Sequence, residues 1–113
     1  MISVATARKI ALSMPEAEEG EHMDHPDFRV RKKIFATLWP DESKAVVFAD
    51  PETHGDLMKA SPDTFSLNGW SEKYGALNVH LKKVGKDQFE QLILVSWMRK
   101  APKTLVKNFL DPA

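Results

Sequence analysis

The sequence contains no cysteine among its 113 residues. This absence excludes disulfide bonds, thiolate metal ligands and a cysteine nucleophile together. Disulfides are rare in the cytosol, so the composition is compatible with a cytoplasmic protein, which is what we expect. Arg8 and Lys9 interrupt the first apolar segment, which therefore does not resemble a secretory leader. No apolar run is long enough to span a bilayer, and we expect no membrane association.

The chain also lacks an excess of charge of either sign. Lys and Arg number 16, Asp and Glu number 16, and the formal net charge is zero. Dedicated nucleic-acid-binding domains are usually clearly basic, so the total charge argues against one. The apolar fraction of 42% and the charged fraction of 28% are those of an ordinary globular protein. We expect residues 1–113 to form a single domain around one core.

Recognisable catalytic motifs are absent as well. The 5 glycines are dispersed and make no phosphate-binding loop, and no serine lies in a Gly-x-Ser-x-Gly context. His54 lies in a polar helical segment, with no carboxylate or nucleophile at a fixed offset, and is interpreted as a surface residue. The sequence therefore predicts no enzyme activity, no catalytic residue and no cofactor.

The strongest positive signal is a series of β-type runs within residues 27–50. Polar links separate the runs 28–31, 34–39 and 45–49, as in an antiparallel meander. Residues 76–81 alternate apolar and polar side chains, as in a half-buried strand. The sequence predicts an α+β fold with one twisted antiparallel sheet of about five strands, formed by residues 20–49 and 76–81.

Helical spacing of apolar residues occurs at about 3–14, 86–100 and 102–109. These helices are expected to pack on a single face of the sheet, burying Ile10, Phe89, Ile93 and Trp97. Residues 63–74 have turn chemistry and are interpreted as a packed loop. Aromatic residues at helix or strand spacing are assigned to the core: Phe28, Phe35, Trp39, Phe48, Phe89, Trp97 and Phe109.

Trp70 and Tyr74 are the aromatic residues that fit no such spacing. Trp70 follows Gly69 in the predicted loop, and Tyr74 lies close by in sequence. The tryptophan could cap the core or line a groove for a small ligand, and the sequence favours capping. Trp70 and Tyr74 are nevertheless the candidate residues of a ligand groove.

Basic residues fall in three places and are the candidate nucleic-acid contacts. A hairpin tip with successive cations is the geometry of a wing that could lie along phosphates. Lysine at turn tips and helix ends also serves solubility and the helix dipole, so each cluster has an alternative explanation. The candidate residues are Arg29, Arg31, Lys32 and Lys33 near the first hairpin, Lys82 and Lys83 after the last strand, and Arg99, Lys100 and Lys103 near the C-terminus.

An acidic segment with two histidines spans residues 16–26 and ends in what we interpret as a polar first strand. His22, Asp24 and His25 could supply nitrogen and oxygen ligands to a metal. No closed ligand set with a recognisable spacing is present, however. We interpret the acidic residues as exposed to solvent and expect no metal site.

Several ordered motifs resemble those of the bacterial MmcQ/YjbR family. They are His25-Pro26-Asp27-Phe28-Arg29-Val30, Lys33-Ile34-Phe35-Ala36, Ala76-Leu77-Asn78-Val79-His80-Leu81 and Ala101-Pro102-Lys103. The resemblance runs almost end to end and implies a frataxin-like (CyaY-like) sheet with helices on one side. It also implies DNA binding through a "double wing" surface. It supplies no catalytic residues.

These observations leave three functional hypotheses. The first is weak, sequence-nonspecific DNA binding through the basic hairpin wing and the C-terminal basic helix. The second is an unknown protein partner, bound by the exposed sheet face at Arg29, Arg31, Thr37 and His80. The third is a small ligand bound near Trp70. An acidic frataxin-type iron surface is not expected, because the first helix carries Arg8 and Lys9 and no acidic residue.

Overall fold

A computed structural model describes residues 1–111, and of His22 it describes the backbone only. The described chain forms one antiparallel sheet of six strands together with five α-helices. The strands are β1 (Glu18–His22), β2 (His25–Val30), β3 (Lys33–Trp39), β4 (Lys44–Phe48), β5 (Phe65–Ser66) and β6 (Ala76–His80). The helices are α1 (Val4–Leu12), α2 (Pro51–Ala60), α3 (Ser71–Tyr74), α4 (Lys86–Lys100) and α5 (Lys103–Leu110).

The strands lie in the order β1-β2-β3-β4-β6-β5, and every neighbouring pair is antiparallel. The α+β class and the single antiparallel sheet predicted from the sequence are confirmed. The expectation of about five strands was too low, because Phe65 and Ser66 pair with β6 as an edge strand. Two residues are too few to show the alternating pattern that identifies a strand. The interpretation of residues 63–74 as a loop was wrong, since they contain β5 and α3.

Local capping explains where two of the helices begin. The Ser3 hydroxyl accepts a hydrogen bond from the Thr6 amide at 3.0 Å, which caps α1. The Asp50 carboxylate accepts from the Thr53 amide at 2.8 Å, and Pro51 occupies the first position of α2. This bond to the Thr53 amide lowers the pKa of Asp50, because it favours the ionised carboxyl group.

The core lies between one face of the sheet and the helices α1 and α4. Phe89, Ile93 and Trp97 of α4 are fully buried there, as predicted, whereas Ile10 of α1 is only partly buried at the edge of the core. The Trp97 ring NH donates to the Pro15 carbonyl at 3.1 Å. The rings of Phe109 in α5 and Trp97 pack edge to face, with centroids 5.3 Å apart. Phe109 nevertheless remains 42% exposed, so its assignment to the core was wrong.

A β-bulge at Phe35 changes the register between β2 and β3. Phe28 pairs with Ala36, but the next residue, Arg29, pairs with Ile34, so Phe35 is the extra residue. Its carbonyl accepts a hydrogen bond from the hydroxyl of Ser96, which is completely buried in α4. The same hydroxyl oxygen accepts from the Phe48 amide at 2.8 Å. Ser96 therefore joins α4 to both central strands.

The sheet face opposite α1 and α4, called the open face below, carries aromatic as well as polar side chains. The residues that alternate away from the core on the central strands are Ile34, Thr37, Trp39, Lys44, Val46, Phe48, Ala76, Asn78 and His80. Trp39 and Phe48 are only partly buried. Their assignment to the core was wrong, because Phe28 pairs with Ala36 and Ala36 with Val47, so Trp39 and Phe48 alternate to the opposite face.

Candidate binding groove on the open sheet face

The open face holds a concave groove with a volume of about 530 Å³. This volume lies within the range of about 300–1,000 Å³ that is typical of ligand sites. The lining is mostly apolar and aromatic, with cationic side chains at one end. It consists of Met23, His25, Lys32, Lys33, Ile34, Thr37, Trp39, Val46, Phe48, Trp70, Tyr74, Ala76 and Lys100.

Trp39 lines this open-face groove, and neighbouring side chains hold its indole in place. The His25 ring stacks on it with centroids 3.7 Å apart, and the Lys44 ammonium lies 4.7 Å from the Trp39 ring centroid. The Trp39 ring NH donates to the Thr37 hydroxyl at 3.0 Å. Because these neighbours already contact the indole, it is not free to stack on an incoming ring unless His25 moves.

Trp70 and Tyr74 are the exposed aromatic residues of the groove, and the Lys73 ammonium lies 5.2 Å from the Tyr74 ring centroid. Trp70 is 52% exposed and Tyr74 is 49% exposed. The preference for core capping by Trp70 was therefore wrong, and the alternative of a groove agrees with its position. An exposed indole on the wall of an apolar groove offers a flat surface for stacking.

A polar network holds the loop that carries Trp70. The Asn68 side-chain oxygen accepts from the Trp70 amide at 2.8 Å, while its NH₂ group donates to the Asn78 side-chain oxygen at 3.0 Å. Asn78 in turn donates to the Ser66 hydroxyl at 3.1 Å. Asn78 lies in β6 and is 9% exposed, so a regular strand anchors the loop.

Substitution of Asn78 by alanine is expected to loosen Trp70. The loss leaves the Asn68 amide and the Ser66 hydroxyl without their partner, and we expect a destabilisation of about 1–2 kcal/mol. Denaturant unfolding measures the first effect, and tryptophan fluorescence anisotropy, with the Trp70 contribution taken as the difference from matched Trp70→Phe variants, measures the second. His80→Ala, a change on the same face of the same strand, serves as the control. An Asn78→Ala variant with unchanged stability and anisotropy would contradict the anchoring role.

Three lysines lie at one end of the groove and come from two of the predicted basic clusters. Lys32 and Lys33 belong to the β2–β3 hairpin, and Lys100 is the last residue of α4. None of them makes an ion pair with any of the residues 1–111 that the structure describes. Burial, the charge of Arg99 and the charge of Lys33 lower the pKa of Lys100, in that order of importance.

The arginines of the predicted wing are occupied by carboxylates. Arg31 donates to both carboxylate oxygens of Glu16 at 2.6 and 3.0 Å, and the pair raises the pKa of Arg31 and lowers that of Glu16. Arg29 donates to both oxygens of Asp27 at 2.9 Å. Asp27 is fully buried, and Gly20 makes room for the pair, since a Cβ there would lie 2.8 Å from an Asp27 oxygen. The expectation that both arginines are free to contact phosphates therefore loses support.

The other basic candidates lie away from the groove. His80 pairs with Lys44, which pairs with Trp39, so Lys82 and Lys83 follow β6 at the Trp39 end of the sheet. Lys103 is exposed at the start of α5 and does not line the groove. Of the three basic clusters, only the first and the third therefore meet, through Lys33 and Lys100.

The comparisons with known proteins agree with this architecture. The family model YjbR matches residues 12–99. The chain belongs to the YjbR family. This confirms the resemblance drawn from the sequence motifs. No curated protein matches the chain.

A solved structure shares the fold of this YjbR-family chain. It is the crystal structure of Deinococcus radiodurans protein DR2400, which has a DUF419 domain. The TM-score is 0.77 at 19% sequence identity, and the match covers 88% of this chain and 78% of the other. At this level of identity the comparison supports the fold alone.

His54 has a structural place in this YjbR-family chain. His54, interpreted from the sequence as a surface residue, is in fact buried at 4% exposure. Its Nε2 donates to the Gly75 carbonyl at 2.9 Å, which also accepts from the Ala49 amide at 3.0 Å. Gly75 has φ +73°, and a Cβ there would lie 2.6 Å from the Ala49 carbonyl oxygen. This close packing joins the end of β4 to the start of β6.

The acidic segment does not form a ligand cluster in the part of the chain that the structure describes. No group of three or more His, Cys, Asp or Glu side chains there could hold a metal ion. Glu16 and Glu19 pair with Arg31 and Arg8, respectively. The side chain of His22, one of the metal candidates, lies outside the described residues. Among residues 1–111, no helix is long and apolar enough to cross a membrane.

The tip of the β2–β3 hairpin is strained. Arg31 and Lys32 have φ angles of +49° and +71°, which places two residues with side chains in the left-handed region of a two-residue turn. Glycine and asparagine are the usual occupants of such turns. Strained backbone that persists in a native structure is often found at functional sites.

We expect Lys32→Gly to stabilise the protein, because glycine adopts the left-handed region without strain. Relief of the left-handed strain is worth about 1 kcal/mol. Lys32→Ala removes the same charge but keeps the strain, so it should lack the gain in stability. Chemical denaturation of both variants measures the difference. Equal stability of the two variants would refute the strain argument.

Proposed function

We propose that the open-face groove binds single-stranded nucleic acid weakly and without sequence preference. One observation carries this proposal: exposed aromatic rings and lysines without ion-pair partners among the described residues line the same groove. Proteins that bind single strands usually combine a positively charged groove with aromatic side chains on which the bases stack. The proposal moves the binding surface from the hairpin tip and the C-terminal helix to the face of the sheet.

The aromatic and the cationic side chains of the groove have different tasks. A base stacks on Trp70, with Tyr74 beside it, because these rings are exposed. The lysines at positions 32, 33 and 100 contact phosphates at the cationic end. Stacking tolerates any base, since every base has a flat face. Backbone contacts fix the position of a strand but carry no sequence information.

A single strand fits these side chains better than a duplex does. In a duplex the base faces are covered by their neighbours, so Trp70 would have nothing to stack on. A duplex would instead need a wing with several free cations, and Arg29 and Arg31 are held by Asp27 and Glu16. Lys32 and Lys33 then remain as the only two cations of the hairpin without an ion-pair partner among residues 1–111. We therefore expect duplex DNA to bind less tightly than single-stranded DNA.

The test is a fluorescence anisotropy titration of a labelled thymidine oligonucleotide at several salt concentrations. Three phosphate contacts predict a log–log salt slope of about −2 for a single strand. The duplex of the same length, in mixed sequence, is the comparison. Lack of binding at low salt, or tighter binding to the duplex, would contradict the proposal. Lys82→Ala and Lys83→Ala, at the other end of the sheet, are matched controls that should leave the slope unchanged.

A small planar anion is the second candidate, because the volume of about 530 Å³ and the apolar walls suit a single ligand. The dependence of affinity on oligonucleotide length separates the two. A nucleic-acid site gains affinity from each phosphate that reaches a lysine. A small-ligand site binds a mononucleotide as tightly as the oligonucleotide.

A further inference from the structure

Lys100 has surroundings that differ from those of an ordinary surface lysine. It is partly buried at the end of α4 and lines the open-face groove. Its Nζ atom lies over the Phe48 ring, 4.6 Å from the ring centroid. Within residues 1–111 it makes no ion pair with a carboxylate. The ring face attracts the ammonium form through a cation–π contact, whereas the partial burial of Lys100 favours the neutral amine.

The charges around Lys100 are positive. Lys33 approaches from β3 and Arg99 from α4, and Lys32 lines the same end of the groove. Arg99 is itself partly balanced by Asp50, whose pKa it helps to lower. Burial first, and then Arg99 and Lys33, lower the pKa of Lys100. The C-terminal end of α4 favours the ammonium form and limits this shift.

The lowered pKa of Lys100 increases the fraction of its neutral amine at a given pH. The neutral amine is the nucleophile, and lysines that are desolvated or lie beside another cation form imines with carbonyl compounds. The groove in front of Lys100 has room for a planar ring against Trp70 and Tyr74. Lys32 and Lys33 line the same groove, and their positive charges would attract an anionic substituent on that ring.

We propose that Lys100 is a nucleophilic amine that forms an imine with a planar aldehyde carrying an anionic group. The nitrogen lone pair adds to the carbonyl carbon and gives a carbinolamine. The carbinolamine then loses water: the C–O bond breaks, the C=N bond forms, and both amine hydrogens leave with the oxygen. No oxidant or reductant is consumed. The reaction requires no nucleic acid, so a failure of nucleic-acid binding would not contradict it.

The test uses pyridoxal phosphate as the probe on the full chain. The protein is incubated with a limiting amount of the aldehyde near pH 8, the imine is trapped with borohydride, and the labelled lysines are mapped by peptide mass spectrometry. We expect Lys100 to be labelled several-fold faster than Lys103 and Lys107, which are exposed on the neighbouring helix. The labelling rate of Lys100 should also reach its plateau at a lower pH than that of a fully solvated lysine.

Two variants make the result specific. Lys100→Arg keeps the positive charge but cannot form an imine, so the fast label should vanish while the slow sites are unchanged. Lys33→Gln removes a neighbouring cation and should slow the labelling of Lys100 towards that of Lys103. Equal labelling of all lysines, or fast labelling centred on Lys33 in the unaltered protein, would overturn the proposal. Far-ultraviolet circular dichroism checks that both variants remain folded.

Discussion

Replacement of Ser96 by alanine is expected to lower the free energy of unfolding by about 2–6 kcal/mol. The Ser96 hydroxyl is fully buried and serves the Phe35 carbonyl and the Phe48 amide at once. Alanine fills most of the same space but leaves both backbone groups unpaired inside the protein. Each buried group that loses its partner costs about 1–3 kcal/mol. Urea denaturation followed by circular dichroism measures the difference.

Val95→Ala is the matched control for this prediction. Val95 precedes Ser96 in the same helix but is 41% exposed, so its truncation should cost much less. Ser96→Thr keeps the hydroxyl and tests whether the bond or the side-chain volume matters. If Ser96→Ala were no more destabilising than Val95→Ala, the hydroxyl would not be what joins α4 to the bulged strand.

Replacement of Trp70 by alanine is expected to produce the largest loss of single-strand binding. Stacking of one base on an aromatic side chain is worth about 1–3 kcal/mol, so the dissociation constant should rise by about 5- to 150-fold. Stability should change little, because Trp70 is 52% exposed and lies outside the core. Anisotropy titrations at a fixed salt concentration provide the measurement.

The controls for Trp70 lie in the same loop. Trp70→Phe retains an aromatic face and should keep much of the affinity. Leu67→Ala removes a side chain that is similarly exposed, at 52%, but does not line the groove. Loss of the salt slope in Trp70→Ala would show that the indole orders the lysines rather than stacking on a base. An unchanged affinity would remove Trp70 from the site.

Much of the fold could be predicted from local patterns. The alternation of side chains in residues 76–81 and the helical spacing in residues 86–100 depend only on the period of each element. The expected burial of Phe89, Ile93 and Trp97 followed from that spacing and is confirmed. The edge strand at Phe65 could not be found in this way, because its pairing with Val79 is its only mark as a strand.

The candidate site was harder to predict, because it depends on which face each strand residue occupies. A single extra residue at Phe35 moves Ile34 onto the same face as Thr37 and Trp39. No local pattern in the sequence reveals that bulge. The pairing of Arg31 with Glu16, 15 residues away, is equally invisible until the chain is folded. Lys33 and Lys100 were both named as candidates, but only the tertiary structure brings them together.

The two edge strands of the sheet have a consequence for solubility. A sheet whose face is partly apolar invites another chain to add a strand at its edge, and proteins usually protect such edges with charge or by keeping the edge strand short. Here one edge is β1, whose side chains include the exposed Glu18, Glu19 and Glu21, and the other is the two-residue β5. The acidic segment that first suggested a metal site thus acts as a barrier to strand addition. Neither edge therefore offers a long, uncharged strand with which another chain could pair.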